Sequence, residues 1–232
     1  MYNTLNYLII YTVTVFVAGF VWSSNTINSS TPNLDTINSD AIEQSVHQDR
    51  IRMVLAPTGN TVRYLVREQL AGFDFPNDAV GETNEISGAI VFNTEGEVIQ
   101  EESKFVANII GLKSDRDRRD GFIQRNTLES ERFPTVELVP IQTRNLSFPL
   151  PTDGSAIFDI IGNLSIKDVT QPTSWRVNAR FVDGVMTGTA RTEFTFDEFG
   201  LEKPRVGSVL SVADAIRLEF DFTMNIESLA SQ

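Results

Sequence analysis

The chain has 232 residues, of which 41% are hydrophobic, with no cysteine, one histidine and a formal net charge of -12. That length and content can bury one sizeable core, and an all-β unit of this size is ordinarily a single domain. Disulfides, thiolate metal sites and thiol nucleophiles are excluded by the missing cysteine, and the acidic balance gives no electrostatic drive toward nucleic acid.

Residues 1–34 carry no charged side chain and include an apolar run from Tyr7 to Trp22. The run is short for a spanning helix, which needs about 20 residues, and long for the apolar part of a signal peptide, about 7 to 15. Residues 1–23 are therefore expected to be a signal peptide or a membrane anchor. Small residues at Val21 and Ser23 suit cleavage, while the missing basic start suits retention. Residues 24–49 follow as a Ser/Asn/Thr-rich tether, because twelve of the eighteen residues from 23 to 40 are Ser, Asn or Thr and cannot bury enough apolar surface to offset ordering entropy. Export to the periplasm, to the outside, or to the outer face of the cytoplasmic membrane is the matching expectation.

A folded domain is expected over 50–228. Ile51, Met53 and Leu55 begin an alternation that Pro57 to Gly59 interrupts, and Val62, Tyr64 and Val66 resume it. A turn-rich stretch from Gly72 to Thr83 leads to Ile86, Gly88, Ile90 and Phe92, closed by a hairpin signal at Asn93 to Gly96. Phe105, Ala107 and Ile109 make the next strand. Strand formers then vanish between Ser114 and Arg132, where charges crowd at helical spacing, as in Asp115 with Arg119. Val136 and Leu138 open another strand. From Ser155 the alternation is nearly unbroken, through Phe158 to Ile166, Trp175 to Phe181, a turn at Asp183-Gly184, and Met186 to Phe196. A loop is expected from about Asp197 to Asp214. The last strand carries Ile216, Leu218, Phe220, Phe222, Met224 and Ile226 on one parity, against Arg217, Glu219, Asp221, Thr223 and Asn225 on the other. Eight or nine half-wet strands and no internal repeat predict an all-β, antiparallel eight-stranded barrel, since closure removes exposed edges.

Chemistry is sparse. His47 lies at the edge of the tether, where a lone imidazole is solvated. Glu68 shares parity with Tyr64 and Val66 and is the one carboxylate in phase to point inward; the plainer expectation is that the strand ends or bulges there. Arg116, Arg118, Arg119, Arg125 and Arg132 gather within 17 residues. They are candidates for a phosphate or anionic lipid headgroup, and the neighbouring Asp115, Asp117, Asp120, Glu129 and Glu131 make a salt-bridged surface helix the simpler expectation. Aromatic residues crowd the dry parity: Tyr64, Phe92, Phe105, Phe158, Trp175, Phe181, Phe194, Phe196, Phe220 and Phe222. An eight-stranded barrel is just wide enough either to be filled by such side chains or to hold one elongated ligand.

Arg119-Asp120 followed by Arg132-Phe133-Pro134-Thr135-Val136 resembles the signature of the YceI-like, lipocalin-resembling family. Val80-Gly81-Glu82-Thr83 with Ile86-Ser87-Gly88, the segment from Gly162 to Pro172, and Phe199-Gly200-Leu201 with Pro204 resemble further parts of it, in order, over about residues 50–226. Two positions depart: Phe122 stands where the family often has His, and Asp168 where it has Gly before Val-Thr. The resemblance implies an extended antiparallel barrel with a long apolar tunnel, binding of isoprenoid lipids or quinones in the bacterial envelope, and no catalytic residues. The expectation is thus a non-enzymatic carrier of a polyisoprenoid or quinone, with no required cofactor and no metal. Tyr64, Phe92, Phe105, Phe158, Trp175, Phe181, Phe194, Phe220 and Phe222 are its candidate ligand-binding residues. The alternative is a filled barrel acting as an envelope stress module or as the partner of a membrane redox protein. An enzyme using Glu68 as base is the third possibility.

Overall fold

The computed structural model describes residues 50–205 and 209–229. The expected leader and tether, 1–23 and 24–49, lie outside them. Eleven strand segments form one antiparallel sheet: β1 (Arg50–Leu55), β2 (Thr61–Leu70), β3 (Asn77–Thr83), β4 (Ile86–Phe92), β5 (Lys104–Asn108), β6 (Lys113–Ser114), β7 (Thr135–Arg144), β8 (Asp153–Ile166), β9 (Val169–Val182), β10 (Val185–Thr195) and β11 (Val209–Leu229).

Strand β11 explains how eleven segments make eight staves. Its C-terminal part pairs with β1 and its N-terminal part with β2, so β1 and β2 are one interrupted stave. The break at Pro57 to Gly59 is sealed by buried Asn60, whose Nδ2 donates to the Ala56 carbonyl at 2.6 Å and whose Oδ1 accepts the Thr223 N–H at 2.9 Å. In the same way β3 with β4, and β5 with β6, form split staves. The remaining neighbours are sequential, and β1 touches both β4 and β11, which closes the cylinder. This is the eight-stranded antiparallel barrel expected from the alternation.

Register follows the pattern of charges as well as of apolar residues. On the wet face Asp159 lies opposite Arg176 and Arg191 opposite Glu219, with ion pairs of 2.9 and 2.8 Å. Asp183 and Gly184, at φ of 49° and 76°, form the tight β9–β10 hairpin, whose left-handed central residues suit the twist of the strands.

The expected loop from 197 to 214 is shorter than its composition suggested, because β11 already begins at Val209. Pairing with β2 slips between Val209 and Ser211 and again between Val212 and Ile216. These bulges scramble period two in sequence, so the strand cannot be read from alternation before Ile216.

The helical interlude is observed as α1 (Asp117–Phe122), continued by one π-helical turn (Ile123–Thr127). Among the described residues no helix is long and apolar enough to cross a membrane.

Candidate functional site: a barrel hollow at one end

The interior is divided. Toward the β9–β10 hairpin it is filled: Phe92, Phe158 and Phe181 are essentially inaccessible to solvent, and the void among Met53, Phe105, Phe158, Trp175 and Phe222 is only about 20 Å³. Toward α1 it opens into a partly open cavity of about 850 Å³. A dry vacancy of that size would cost about 20 kcal/mol at about 24 cal/mol per Å³, more than the net stability of a domain. The hollow end therefore holds water or a guest.

Side-chain size accounts for the division. Inward positions around the cavity carry Val62, Val66, Ala79, Ala107, Val136 and Val212, whereas the filled end carries four phenylalanines, a tryptophan and three methionines around its small void. Where small aliphatic residues face inward the cylinder stays open, with Tyr64, Phe194 and Phe196 at its wall; where aromatic residues meet across the axis it is plugged.

Among the nine aromatic residues singled out from the sequence, Tyr64 and Phe194 line the cavity. Phe105, Phe158, Trp175, Phe220 and Phe222 meet in the filled end, and Phe92 and Phe181 are buried in the same core. Phe196, on the same dry parity, lines the cavity too. In the filled end Trp175 is tied down, its Nε1 donating to Thr173 Oγ1 at 3.0 Å, while Thr173 Oγ1 donates to the Gly162 carbonyl at 3.2 Å.

A helical lid covers the cavity. Phe122, Ile123 and Leu128 give it an apolar underside that the sequence reading did not single out. It is anchored on one flank by Gln124, whose Nε2 donates to the carbonyls of Ile110 and Leu112 at 3.1 and 3.3 Å. On the other flank Thr127 Oγ1 donates to the Glu202 carbonyl at 3.4 Å. Asp120, the buried residue of the lid's first helix, accepts from Ser114 N–H at 2.9 Å and from Ser114 Oγ at 2.5 Å.

Polar groups form a belt below the lid. Glu68 is buried and faces the cavity, and Arg119 Nη2 donates to its Oε1 at 2.6 Å. The strand neither ends nor bulges at Glu68: β2 continues to Leu70, and the irregularity sits on the partner, β11. Arg119 also donates to Asp115. Burial works against the Arg119 cation, but the hydrogen bonds it donates to its two carboxylate partners outweigh it and leave the guanidinium more basic than usual. The Asp115 carboxyl is correspondingly held below its ordinary range by the hydrogen bond from Arg119. Burial also pushes the Tyr64 phenol up; Arg119 opposes the rise, and Asp120 and Glu68 add to it. The Tyr64 phenol thus stays neutral. Its ring lies on Gly81, where any Cβ would come within 2.3 Å of it.

The arginine cluster splits. Arg116, Arg118, Arg119 and Arg125 line the cavity, whereas Arg132 pairs with Glu129 at 3.8 Å and stacks over Phe133 at 4.7 Å. A simple salt-bridged surface helix does not describe this arrangement. No group of three or more His, Cys, Asp or Glu side chains among the described residues is arranged to hold a metal ion.

The residues that carried the family resemblance gather around the hollow end: Arg119 and Asp120 on the lid, Gly81 and Thr83 on β3, Ile166 at the β8–β9 turn, and Leu201 and Pro204 beside the lid. The YceI-like domain model matches residues 54–224. The chain belongs to the YceI-like domain family. The fold of this YceI-like chain is shared with a polyisoprenoid binding domain from Saccharophagus degradans implicated in plant cell wall breakdown, at 10% identity and a TM-score of 0.58, over 76% of this chain and 98% of that one. It is shared also with BcnA of Burkholderia cenocepacia, at 13% identity and a TM-score of 0.52, over 71% and 95% of the two chains. No curated protein matches the chain.

Proposed function

We propose that this YceI-like chain binds one polyisoprenoid lipid or isoprenoid quinone in the hollow end of its barrel and carries it, without catalysis, at the bacterial envelope. The observation that carries the reading is the cavity of about 850 Å³ with its aliphatic wall, within the range of cavities that enclose a small-molecule ligand. A tail burying even ten methylene equivalents gains roughly 8 kcal/mol before association costs are subtracted. The tail lies between Tyr64 and Phe194 under the lid, and the polar end meets the Glu68–Arg119 belt or the mouth. Membership of the family and a fold shared with a polyisoprenoid binding domain support the same ligand class. Residues 1–49 would export the barrel and keep it near the lipid source.

The filled-barrel alternative requires an interior closed by side chains throughout, a condition met at one end only. For the enzymatic alternative, Glu68 is engaged by Arg119, so the carboxylate is occupied in an ion pair. Organic extraction of protein purified from its own source, followed by mass spectrometry, tests the proposal. A prenyl lipid in stoichiometric amount is expected, together with a rise in Tm on adding one. Repeated absence of both would overturn it.

A further inference from the structure

We infer that the tip of the β2–β3 hairpin docks the barrel on a phospholipid bilayer, with Phe73, Phe75 and Leu210 entering the lipid. This goes beyond the proposed cargo, because it assigns a surface on the barrel's exterior and the partner that surface meets.

Seven large hydrophobic side chains among the described residues are exposed, and three of them share this tip: Phe75 at 80%, Leu210 at 67% and Phe73 at 55%. The register brings them together. Val209 lies opposite Leu70 and Ser211 opposite Gln69, so Leu210 is the bulged residue of β11 beside the loop that follows Leu70. Every residue from Ala71 to Pro76 is exposed, and a Cβ at Gly72 would meet nothing within 4 Å, so the loop is convex and stands clear of the barrel. Hydrogen bonds hold it in that shape. The Phe73 N–H donates to the Leu70 carbonyl at 3.3 Å, and Gln69 Nε2 donates to the Phe73 carbonyl at 2.6 Å. The two phenylalanines are thus kept in water by a bonded turn instead of folding back on the core. None of the three apolar side chains lines the cavity.

A cluster of exposed apolar side chains marks an interaction site. Area and shape decide its partner. A stable protein interface takes about 800 Å² and about 20 to 30 residues from each side, far more than one short loop and one bulged leucine present. A bilayer asks for no matching surface, and apolar side chains on a convex tip enter the boundary between headgroups and acyl chains directly. Asp74, between the two phenylalanines, sets the depth: a carboxylate is costly in hydrocarbon and stays with the headgroups, so insertion is shallow. The loop from Ala71 to Pro76 carries no lysine or arginine, so apolar burial drives the contact and salt has little effect on it. Leu70 and Val209 flank the tip and do line the cavity, so docking turns the open end of the barrel toward lipid.

The test uses the missing cysteines: in a chain with none, Ala71→Cys at the tip and Val182→Cys beside the β9–β10 hairpin each give a single site for an environment-sensitive fluorophore. The full chain is mixed with phosphatidylcholine vesicles whose acyl chains carry nitroxide quenchers. Because the readout is local, it reports the tip whatever residues 1–49 do. The label at residue 71 is expected to shift to the blue and be quenched, while the label at residue 182 stays in water. In F73S/L210S the quenching at residue 71 should drop about fivefold, with Tm and affinity for a prenyl ligand unchanged. A label at residue 71 that stays in water, equal quenching at both sites, or quenching that survives in F73S/L210S would overturn the docking. A blue shift that appears without vesicles and grows with protein concentration would also overturn it, by assigning the tip to a second copy of the chain. Each of these failures leaves the cavity reading to stand or fall on the extracted lipid.

Discussion

The two ends of one barrel are built from the same strands and the same alternation, yet one is plugged and the other hollow. Along β11, Phe220, Phe222 and Met224 close the interior, whereas Val212, Ile216 and Leu218, on the same parity, face the cavity. Backbone register decides which side chains point inward. Side-chain volume decides whether anything else can join them. The aromatic end therefore acts as a rigid base, and the aliphatic end, under its lid, has space to exchange contents.

The largest effect that would break this comparison comes from the base. Phe158→Ala should cost about 3 to 5 kcal/mol, because it opens a cavity in a wall with no slack. Chemical denaturation checks it; a loss below about 1 kcal/mol would mean the base is as loose as the hollow end. Next is the ion pair that crosses from barrel to lid. Arg119→Leu leaves Glu68 buried without its partner and should cost about 3 kcal/mol by the same measurement. Val66→Phe works in the opposite sense: it adds volume where volume is missing, so stability should hold while affinity for a prenyl ligand drops about tenfold, roughly 1.4 kcal/mol. Titration of the variant checks it. If affinity stays and stability collapses, the hollow end is not hollow in solution.

The smallest effect belongs to the wet face. Asp221 accepts from Thr189 at 2.6 Å and Arg63 at 2.5 Å. Burial would raise its pKa, but these hydrogen bonds prevail and hold it below the ordinary value. A depressed carboxyl stabilises the fold above its unfolded pKa, near 4, and that contribution disappears as pH falls through the folded value. Asp221→Asn should cost less than about 1 kcal/mol near neutrality and nothing at strongly acid pH. Tm against pH for both proteins checks the sign.

The architecture was legible because dry and wet parities were kept apart over β8, β9, β10 and the second half of β11, and because Asp183-Gly184 marks its hairpin. The split staves were half legible, since Pro57 to Gly59 announced a break without revealing that β11 spans it. The hollow was not legible. An inward Phe and an inward Val read alike in a period-two pattern, and aromatic density drew attention to the end that is full. Tyr64 and Phe194 were found; Phe122 and Ile123 were hidden in a charged stretch whose apolar residues serve as the underside of a lid. Glu68 was in phase to face inward, but its partner lies 51 residues away and could not be paired with it from sequence.

The most direct measurement is photo-crosslinking of the full chain with a farnesyl probe carrying a diazirine at the tail, followed by peptide mapping. A tail lodged in the hollow end labels Val62, Ile123 or Leu218 and leaves Phe158 and Trp175 untouched. Labelling confined to the outer, charged face of the strands, or spread evenly over both ends, would contradict a guest seated in the hollow half.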